Sequence, residues 1–329
     1  MKQAKLYAHG APHEVVRVDE VPEPDAPGPG RALVRVMACG INPADLLGFE
    51  GRYPGPSPLP APCGIEGAGI VEAAGEGSGL ETGDHVIILT RANWAEYVEE
   101  SANALIRIPK TLNWRDAAQL KVNPPTAFRM LVDYKALKPG DWVIQNAANS
   151  AVGLHLIRFA KDMGVKTANI VRRADLIEPL KAHGADIVLV GGPDQAERLR
   201  AEIGDANVPL GIDAIGGAAT RWMADCLSDG AELVNYGYLS GDPCQIEPSH
   251  LIVRGMTLTG FWLGSWLGPA PREEKHKLFD EMAAAFTSGK IVSPVEAEYG
   301  LDRIAEALRH AASGGRGGKI LLTPNGPLA

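Results

Sequence analysis

The sequence predicts an α/β protein in which a doubly wound parallel sheet follows a β-rich region. With 329 residues, the chain is long enough for two domains. From 120 to 260, short apolar runs alternate with amphipathic helical segments, as in right-handed βαβ units. Before 120, short runs recur with frequent turn signals, which is typical of all-β structure. The predicted domains are therefore 1–119 and 120–260, with 261–329 as a return segment that completes the first domain.

The β-rich region is predicted from alternation and from its loops. Residues 31–38 alternate as in a strand, with Ala32, Val34, Val36 and Ala38 as one set and Arg31, Leu33, Arg35 and Met37 as the other. Residues 69–73 and 84–89 are short apolar runs bounded by Gly or Asp. Residues 51–62, GRYPGPSPLPAP, contain five prolines and cannot form a helix or a central strand. We expect a stiff loop held at a site, because this segment lies inside the domain.

Six apolar runs in the second region predict a Rossmann-type sheet. The predicted strands are 141–146, 166–171, 187–190, 210–215, 232–236 and 257–263, and the predicted helices are 152–163, 176–183, 195–203 and 220–227. The return segment is predicted to contain helices at 273–288 and 301–311 and a final strand at 319–323.

Composition and charge exclude several classes of protein. The chain is 45% hydrophobic and 22% charged, which is normal for a folded protein. The sequence contains no run of about 18 apolar residues, so no transmembrane helix is predicted. A net charge of −8 argues against nucleic acid or an anionic membrane as the main partner. The cysteines form no C-x-x-C pair or disulfide framework, and no signal pattern begins the chain, so we expect a cytoplasmic protein.

A turn of small residues follows the first predicted strand of the sheet. A dinucleotide fingerprint would read G-x-G-x-x-G there, but 148–153 keeps only the last glycine. Gly153 would allow close contact between helix and strand, and the helix N-terminus would still offer N–H groups to an anion. Asn149 and Ser150 add donors, and Ala151 is small enough for close approach. Such turns also occur in other α/β proteins, but the position after the first of six strands favours a pyrophosphate site.

The end of the second predicted strand favours NADPH as cofactor. An NAD enzyme usually carries Asp or Glu there, to bind the ribose 2′-hydroxyl. This chain has Arg172 and Arg173, about 23 residues after Asn149. Two guanidiniums can bind a 2′-phosphate with bidentate geometry. The alternative is a solvated basic helix start, although arginine at a helix N-terminus opposes the macrodipole.

These features resemble the medium-chain dehydrogenase/reductase superfamily, in which a β-rich GroES-like catalytic domain precedes a Rossmann domain. The segments 41–46 (INPADL), 120–131 (LKVNPPTAFRML), 141–153 (DWVIQNAANSAVG) and 260–266 (GFWLGSW) look like mitochondrial-type 2-enoyl thioester reductases. The resemblance implies NADPH-dependent reduction of an enoyl-CoA or an enoyl-acyl-carrier-protein. It also implies a homodimer in which the strand 257–263 continues the sheet across chains. A zinc-free NADPH:quinone reductase and a non-catalytic, crystallin-like NADPH-binding protein are the alternatives.

The resemblance further implies a site without zinc. In the zinc branch of the superfamily a Cys and a His bind the catalytic metal, and the corresponding positions here hold Asn42 and Ile65. Cys39 lies three residues too early to substitute. Without a metal, the substrate carbonyl must be polarised by hydrogen bonds.

The resemblance points to Tyr53, in the proline-rich loop, as the catalytic residue. When hydride reaches C3 of an enoyl thioester, negative charge develops on the thioester oxygen. A phenol with a pKa near 10 is neutral at pH 7, so it can stabilise that enolate by a hydrogen bond or protonate it. The alternative is a loop tyrosine that packs at the surface of the domain.

The other residues implied by the resemblance surround the cofactor. Asn123 and 261–264 would lie near the nicotinamide, 236–239 would follow the fifth strand, and Lys319 would contact the cofactor. The alternatives are an Asx turn for Asn123, core aromatics for Phe261 and Trp262, and a solvated Lys319. The predicted cofactor-binding residues are Asn123, Asn149, Ser150, Ala151, Val152, Arg172, Arg173, Tyr236, Gly237, Tyr238, Leu239, Phe261, Trp262, Leu263, Gly264 and Lys319.

Overall fold

The computed structural model describes residues 1–328, which form two compact units. One unit combines Met1–Val122 with the chain from Ala270 onward, and the other is Asn123–Pro269. The sequence placed the corresponding boundaries at 119/120 and 260/261. Within the described residues, no helix is both long enough and apolar enough to cross a membrane.

Short strands dominate the first unit up to residue 122. The strands are Lys2–Leu6 (β1), Val16–Glu20 (β2), Arg31–Gly40 (β3), Ala61–Pro62 (β4), Gly67–Ala74 (β5), His85–Ile88 (β6), Tyr97–Ser101 (β7) and Leu105–Arg107 (β8). The helices are Pro12–Val15 (α1), Pro43–Phe49 (α2) and Trp114–Ala117 (α3). β1 pairs antiparallel with β2 and β4, whereas β3 pairs antiparallel with β5 and β7.

β3 shows why the sequence pattern predicts this region well. Its side chains alternate in burial, and Ala32, Val34, Val36 and Ala38 are all fully buried. Because successive side chains of a strand point to opposite faces, one of the two predicted sets lies inside.

The second unit is a parallel sheet with helices between its strands. The strands are Trp142–Gln145 (β9), Lys166–Val171 (β10), Ile187–Val190 (β11), Leu210–Asp213 (β12), Glu232–Asn235 (β13) and Thr257–Gly260 (β14). The helices are Asn123–Val132 (α4), Ala151–Asp162 (α5), Ile177–His183 (α6), Gln195–Ile203 (α7), Ala218–Cys226 (α8), Pro248–Ile252 (α9) and Leu263–Leu267 (α10). The strand order is β11-β10-β9-β12-β13-β14, with parallel neighbours throughout. The predicted doubly wound, Rossmann-type sheet is confirmed.

The last predicted strand of this sheet is wrong in extent. It was predicted to run to residue 263, but β14 ends at Gly260 and α10 begins at Leu263. The neighbouring β13 ends at Asn235, whose carbonyl accepts a hydrogen bond from Phe261 N at 2.9 Å. Residues beyond Phe261 therefore have no strand beside them to continue the ladder.

The return segment completes the first unit. Its elements are Arg272–Thr287 (α11), Val295–Tyr299 (β15), Ile304–Ala312 (α12) and Lys319–Leu322 (β16). β16 pairs antiparallel with β3 and parallel with β15, so the return segment extends the sheet that contains β3, β5 and β6. The predicted helix at 301–311 starts with a 3-10 turn, Leu301–Arg303. The buried face of α12, Ala307, Leu308 and Ala311, packs into the core of this unit.

Candidate active site

The turn between β9 and α5 is built for close approach to a ligand. Ser150 caps α5, and its Oγ accepts a hydrogen bond from Gly153 N at 3.2 Å. A Cβ atom on Gly153 would lie 2.4 Å from the carbonyl oxygen of Ala148, so the helix touches the turn at a position where only glycine fits. The close contact expected of Gly153 is therefore present, but it is made with the turn rather than with the strand. The first N–H groups of α5, at Ala151 and Val152, lie at the end of the helix that attracts anions.

Behind this turn, a buried carboxylate joins the carboxyl ends of three strands. Asp213, at the end of β12, is fully buried. It accepts hydrogen bonds from Asn146 Nδ2 (2.6 Å), Thr220 Oγ1 (2.7 Å) and Ile215 N (2.8 Å). Asn235 Nδ2, from the end of β13, lies 3.3 Å from Asp213 Oδ2. This network was missed from the sequence, although an acidic residue closing a buried strand is a signal for it.

The segment after β13 crosses the same edge of the sheet. A Cβ atom on Gly237 would lie 2.4 Å from the carbonyl oxygen of Ala214, so this backbone passes close to the end of β12. Tyr236 is partly buried, and burial raises the pKa of its phenol, while a hydrogen bond with Ser150 opposes that shift. The structure thus brings the predicted segment 236–239 to the turn that carries Ser150.

Two predicted residues at this edge differ in their surroundings. The hydroxyl of Tyr238 donates to the carbonyl of Gly241, which closes the loop on itself. Leu239 is 55% exposed, so its side chain is available to a ligand and is not part of the core. Asn149, in the turn between β9 and α5 (below, the phosphate turn), is also exposed.

Asn123 supports a polar ligand most directly. It is the first residue of α4 and is buried, and its Nδ2 has no hydrogen-bond partner among residues 1–328. Buried donors without a partner are rare, because leaving one unsatisfied costs roughly 1–3 kcal/mol. A ligand carbonyl or carboxamide would satisfy it. Together with the two glycine contacts described above, this residue makes the second unit fit a dinucleotide.

Arg172 and Arg173 follow β10 directly, and both are exposed. Arg173 Nε lies 3.2 Å from Asp175 Oδ1. Arg172 forms no ion pair within the described part of the chain. Two guanidiniums thus stand at the predicted place, and Arg172 has the fewer competing contacts.

The aromatic segment after β14 is not core. Trp262 is 46% exposed, so the alternative of a core aromatic is wrong for this residue. Phe261 packs edge-on against Tyr134 at 6.4 Å, and the Tyr134 hydroxyl donates to Gly260 O at 2.9 Å. Leu263 is the buried member of the group. Gly264 follows it in α10.

Tyr53 lies in the first unit, in the loop that leaves α2. The loop is held by Arg52 N, which donates to Leu47 O at 2.9 Å, and by the close approach of Gly48 and Gly55. Tyr53 is partly buried, and none of the residues 1–328 forms a hydrogen bond with its hydroxyl. Burial raises its pKa, and the guanidinium of Arg91 acts in the opposite direction. The phenol is therefore neutral at pH 7 and not used by the fold.

The position that a zinc-binding cysteine would occupy is part of a buried polar cluster, which we define as Asn42, Asp45, Glu66 and Lys319. Asn42 Nδ2 donates to Glu66 Oε1 at 2.7 Å, and the Lys319 ammonium donates to Asn42 Oδ1. Asp45 accepts hydrogen bonds from the backbone of Asn42 (2.8 Å) and Ile65 (3.1 Å), while burial raises its pKa to about 7. Lys319 is only 8% exposed, so the alternative of a solvated lysine is wrong. Its predicted cofactor contact stays a prediction.

Lys121 is a second buried cation near this cluster. Its Nζ donates to the carbonyls of Ile65 and, at 2.9 Å, Thr90. Burial lowers its pKa to about 7, although the charge of Glu66 opposes this shift. No sequence motif singles out this lysine. In residues 1–328, no three His, Cys, Asp or Glu side chains come together as a possible metal site.

Two family models match the chain, one within the first unit and one mainly within the second. An alcohol dehydrogenase GroES-like domain matches residues 28–110, and a zinc-binding dehydrogenase model matches 151–284. A mitochondrial enoyl-acyl-carrier-protein reductase of Caenorhabditis elegans is 37% identical over 321 residues, which cover 95% of this chain and 92% of that protein. The chain belongs to the enoyl-acyl-carrier-protein reductase family, within the medium-chain dehydrogenase/reductase superfamily. A member from Mus musculus is 36% identical over 93% of this chain and 84% of its own length.

Solved structures of this superfamily share the whole fold. A quinone oxidoreductase of Escherichia coli in complex with NADPH has a TM-score of 0.89 and 26% identity, covering 98% of this chain and 100% of the other. A mitochondrial 2-enoyl thioester reductase heterodimer from Candida tropicalis has a TM-score of 0.86 and 25% identity, covering 98% and 99%. The resemblance that the sequence motifs predict is confirmed.

Proposed function

We propose that this protein is an NADPH-dependent reductase of trans-2-enoyl thioesters, carried either by coenzyme A or by an acyl carrier protein. The observation that carries the proposal is the phenol of Tyr53, which is partly buried, neutral and free of hydrogen bonds to residues 1–328. The family names of the full-length relatives point to the same reaction.

Tyr53 would act on the oxygen side of the reaction. Bound NADPH supplies the hydride that adds to C3 of the substrate. The electrons of the C2=C3 bond then move towards the thioester carbonyl, and Tyr53 donates a hydrogen bond to the resulting oxyanion. A proton delivered to C2 completes the saturated thioester, and the same phenol can supply it before being reprotonated by solvent.

The choice of NADPH rests on the residues that follow β10. Arg172 and Arg173 place two positive charges where NAD enzymes usually carry an acid. The ion pair of Arg173 with Asp175 occupies part of one guanidinium, so Arg172 is the main proposed partner of the 2′-phosphate. A guanidinium binds a phosphate through two parallel hydrogen bonds.

A zinc-free reaction is proposed because the two positions that bind zinc in other members of the superfamily hold Asn42 and Ile65. Asn42 uses its side-chain amide to join Lys319 and Glu66, so it has a structural task within the buried polar cluster. Ile65, at the other position, offers no metal ligand. Hydrogen bonds, not a metal, would then polarise the thioester carbonyl.

We also propose a homodimer that is built on β14. This strand has one neighbour, β13, so its other edge presents unpaired backbone groups. Just before it lie two of the most exposed apolar side chains, Ile252 (81%) and Val253 (79%). A second copy could pair with the edge and cover both side chains.

Quinone reduction is the second candidate function. The structural likeness to the quinone oxidoreductase of Escherichia coli favours it, since the two chains match over nearly their whole lengths. A quinone has its own electron-poor ring and does not require a phenol donor, so Tyr53 distinguishes the two candidates.

The test compares two substrates, and it compares the wild-type protein with a Tyr53 variant. NADPH oxidation is measured with crotonyl-CoA and, in parallel, with a quinone. We expect turnover with crotonyl-CoA, and a loss of roughly 100-fold or more in kcat for Tyr53→Phe. Tyr7→Phe is the matched control, because Tyr7 is 39% exposed and its hydroxyl donates hydrogen bonds to Asp19. Oxidation with quinone alone would reject the proposal, and oxidation with neither would favour a binding protein.

A further inference from the structure

The guanidinium of Arg91 forms a hydrogen bond with the loop that carries Tyr53. Arg91 lies beyond β6, and its Nη1 donates to the carbonyl oxygen of Pro54 at 2.9 Å. Pro54 follows Tyr53 directly, so the bond acts one residue from the phenol. Arg91 forms no ion pair with a carboxylate in residues 1–328, which leaves its charge available to the phenol. The loop and Arg91 are 37 residues apart in the chain.

The backbone that carries Arg91 is firmly anchored. The carbonyl of Thr90 accepts two hydrogen bonds, from Lys121 Nζ (2.9 Å) and from Asn93 Nδ2 (3.0 Å). On the other side, Ala92 N donates to Gly64 O at 2.9 Å. Because Lys121 is buried, this anchor belongs to the interior of the unit. The guanidinium therefore reaches the loop from a fixed base.

The loop needs such a tether, because packing alone does not fill the space beneath it. A cavity of about 40 Å³ lies there, and Asp45, Phe49, Ile65 and Arg91 are among its lining residues. A void of this size is large enough for a water molecule. On the side of α2 the loop is held by backbone contacts, whereas on the far side Arg91 holds the Pro54 carbonyl.

We propose that Arg91 is a positioning residue for the reductase: it fixes the Tyr53–Pro54 turn and sets a positive charge beside the phenol. This inference rests on the proposed role of Tyr53. A positive charge favours the phenol as a hydrogen-bond donor to an oxyanion. The charge of Arg91 acts to lower the pKa of Tyr53, which agrees with this arrangement. Nearby charges include the ion pair of Arg52 with Glu50 on the same loop, and Asp45 and Lys121 below it.

The test is a double-mutant cycle on turnover with crotonyl-CoA. Arg91→Gln and Arg91→Lys are each made in the wild-type and in the Tyr53→Phe background. Arg35→Gln is the matched control, because Arg35 lies on β3 and pairs with Glu72. We expect Arg91→Gln to lower kcat roughly tenfold in the wild-type background and less than about twofold in the Tyr53→Phe background. Arg91→Lys, which keeps charge and donor, should recover most of the loss.

The outcomes separate this inference from the proposed function. Equal losses in both backgrounds, or full turnover of Arg91→Gln in the wild-type background, would overturn the positioning role. Full turnover of Tyr53→Phe would instead reject the tyrosine mechanism itself. Thermal unfolding of each variant checks the fold. If Arg91→Gln proves unstable, the cycle is completed with Arg91→Lys, and a loss that does not depend on the Tyr53 hydroxyl overturns the positioning role.

Discussion

Lys319 donates a hydrogen bond to the side-chain carbonyl of Asn42 inside the β-rich unit. Its ammonium also lies 3.7 Å from Glu66 Oε1, and the two side chains are 8% and 0% exposed. Glu66 receives further hydrogen bonds from Asn42 and from the backbone of Val122. Charges taken out of water in this way must compensate each other, because an unpaired buried charge is strongly destabilising.

The first prediction concerns this pair. Lys319→Met should lower the free energy of unfolding by roughly 2–4 kcal/mol, because Glu66 keeps its charge and loses its cation. Adding Glu66→Gln should recover part of that loss, since the buried charge is then removed. Urea unfolding of the two single variants and the double variant measures both effects. Unchanged stability, together with a higher KM for NADPH in Lys319→Met, would instead assign the lysine to the cofactor.

The second prediction separates the two cofactors. Arg172→Ala should raise the KM for NADPH by a factor that corresponds to roughly 1.5–3 kcal/mol, and should leave the KM for NADH nearly unchanged. Arg173→Ala should have the smaller effect, because Asp175 already pairs with that guanidinium. Steady-state kinetics with both cofactors checks this order. Equal effects on NADPH and NADH would show that neither arginine reads the 2′-phosphate.

The sheet of the second unit could be predicted closely, because its signals are local. The predicted strands 166–171 and 187–190 are those observed, and Gly184 ends α6 with a φ of 115°. Strands such as Trp142–Gln145 and Ile187–Val190 are short, mainly apolar runs between turn residues, so the pattern in a short window decides the structure. The end of β14 escaped prediction because it depends on where β13 stops.

Contacts between distant residues were not predictable in this way. The bond between Lys319 and Asn42 spans 277 residues, and the sequence offered only a cofactor contact or a solvated side chain for this lysine. Strand β15 was also missed, although Val295, Ala297 and Tyr299 alternate with glutamates, because the run is only five residues long and its pairing with β16 supplies the order. Tyr53 and Asn123 came from family resemblance, and the structure adds that neither polar group serves the fold.

The third prediction tests the contact below the phosphate turn. Gly153→Ala should lower the free energy of unfolding by roughly 1–3 kcal/mol, because the new methyl group would overlap the carbonyl of Ala148. It should also weaken NADPH binding, since α5 must shift away from the turn. Gly28→Ala is the control, because no atom lies within 4 Å of its added Cβ. Thermal unfolding and fluorescence titration with NADPH measure the two effects. Equal stability of the two variants would contradict the contact.

The fourth prediction concerns the free edge of β14. If a second copy pairs with this strand, Ile252→Asp together with Val253→Asp should convert a dimer to a monomer, because two charges would be buried without partners. The wild-type chain should sediment at about twice the monomer mass of 34.9 kDa at micromolar concentration. Val292→Asp is the control, since Val292 is 47% exposed in the other unit. Analytical ultracentrifugation of the three proteins gives the masses. A monomeric wild type, or a double variant that stays dimeric, would show that this edge does not form the interface.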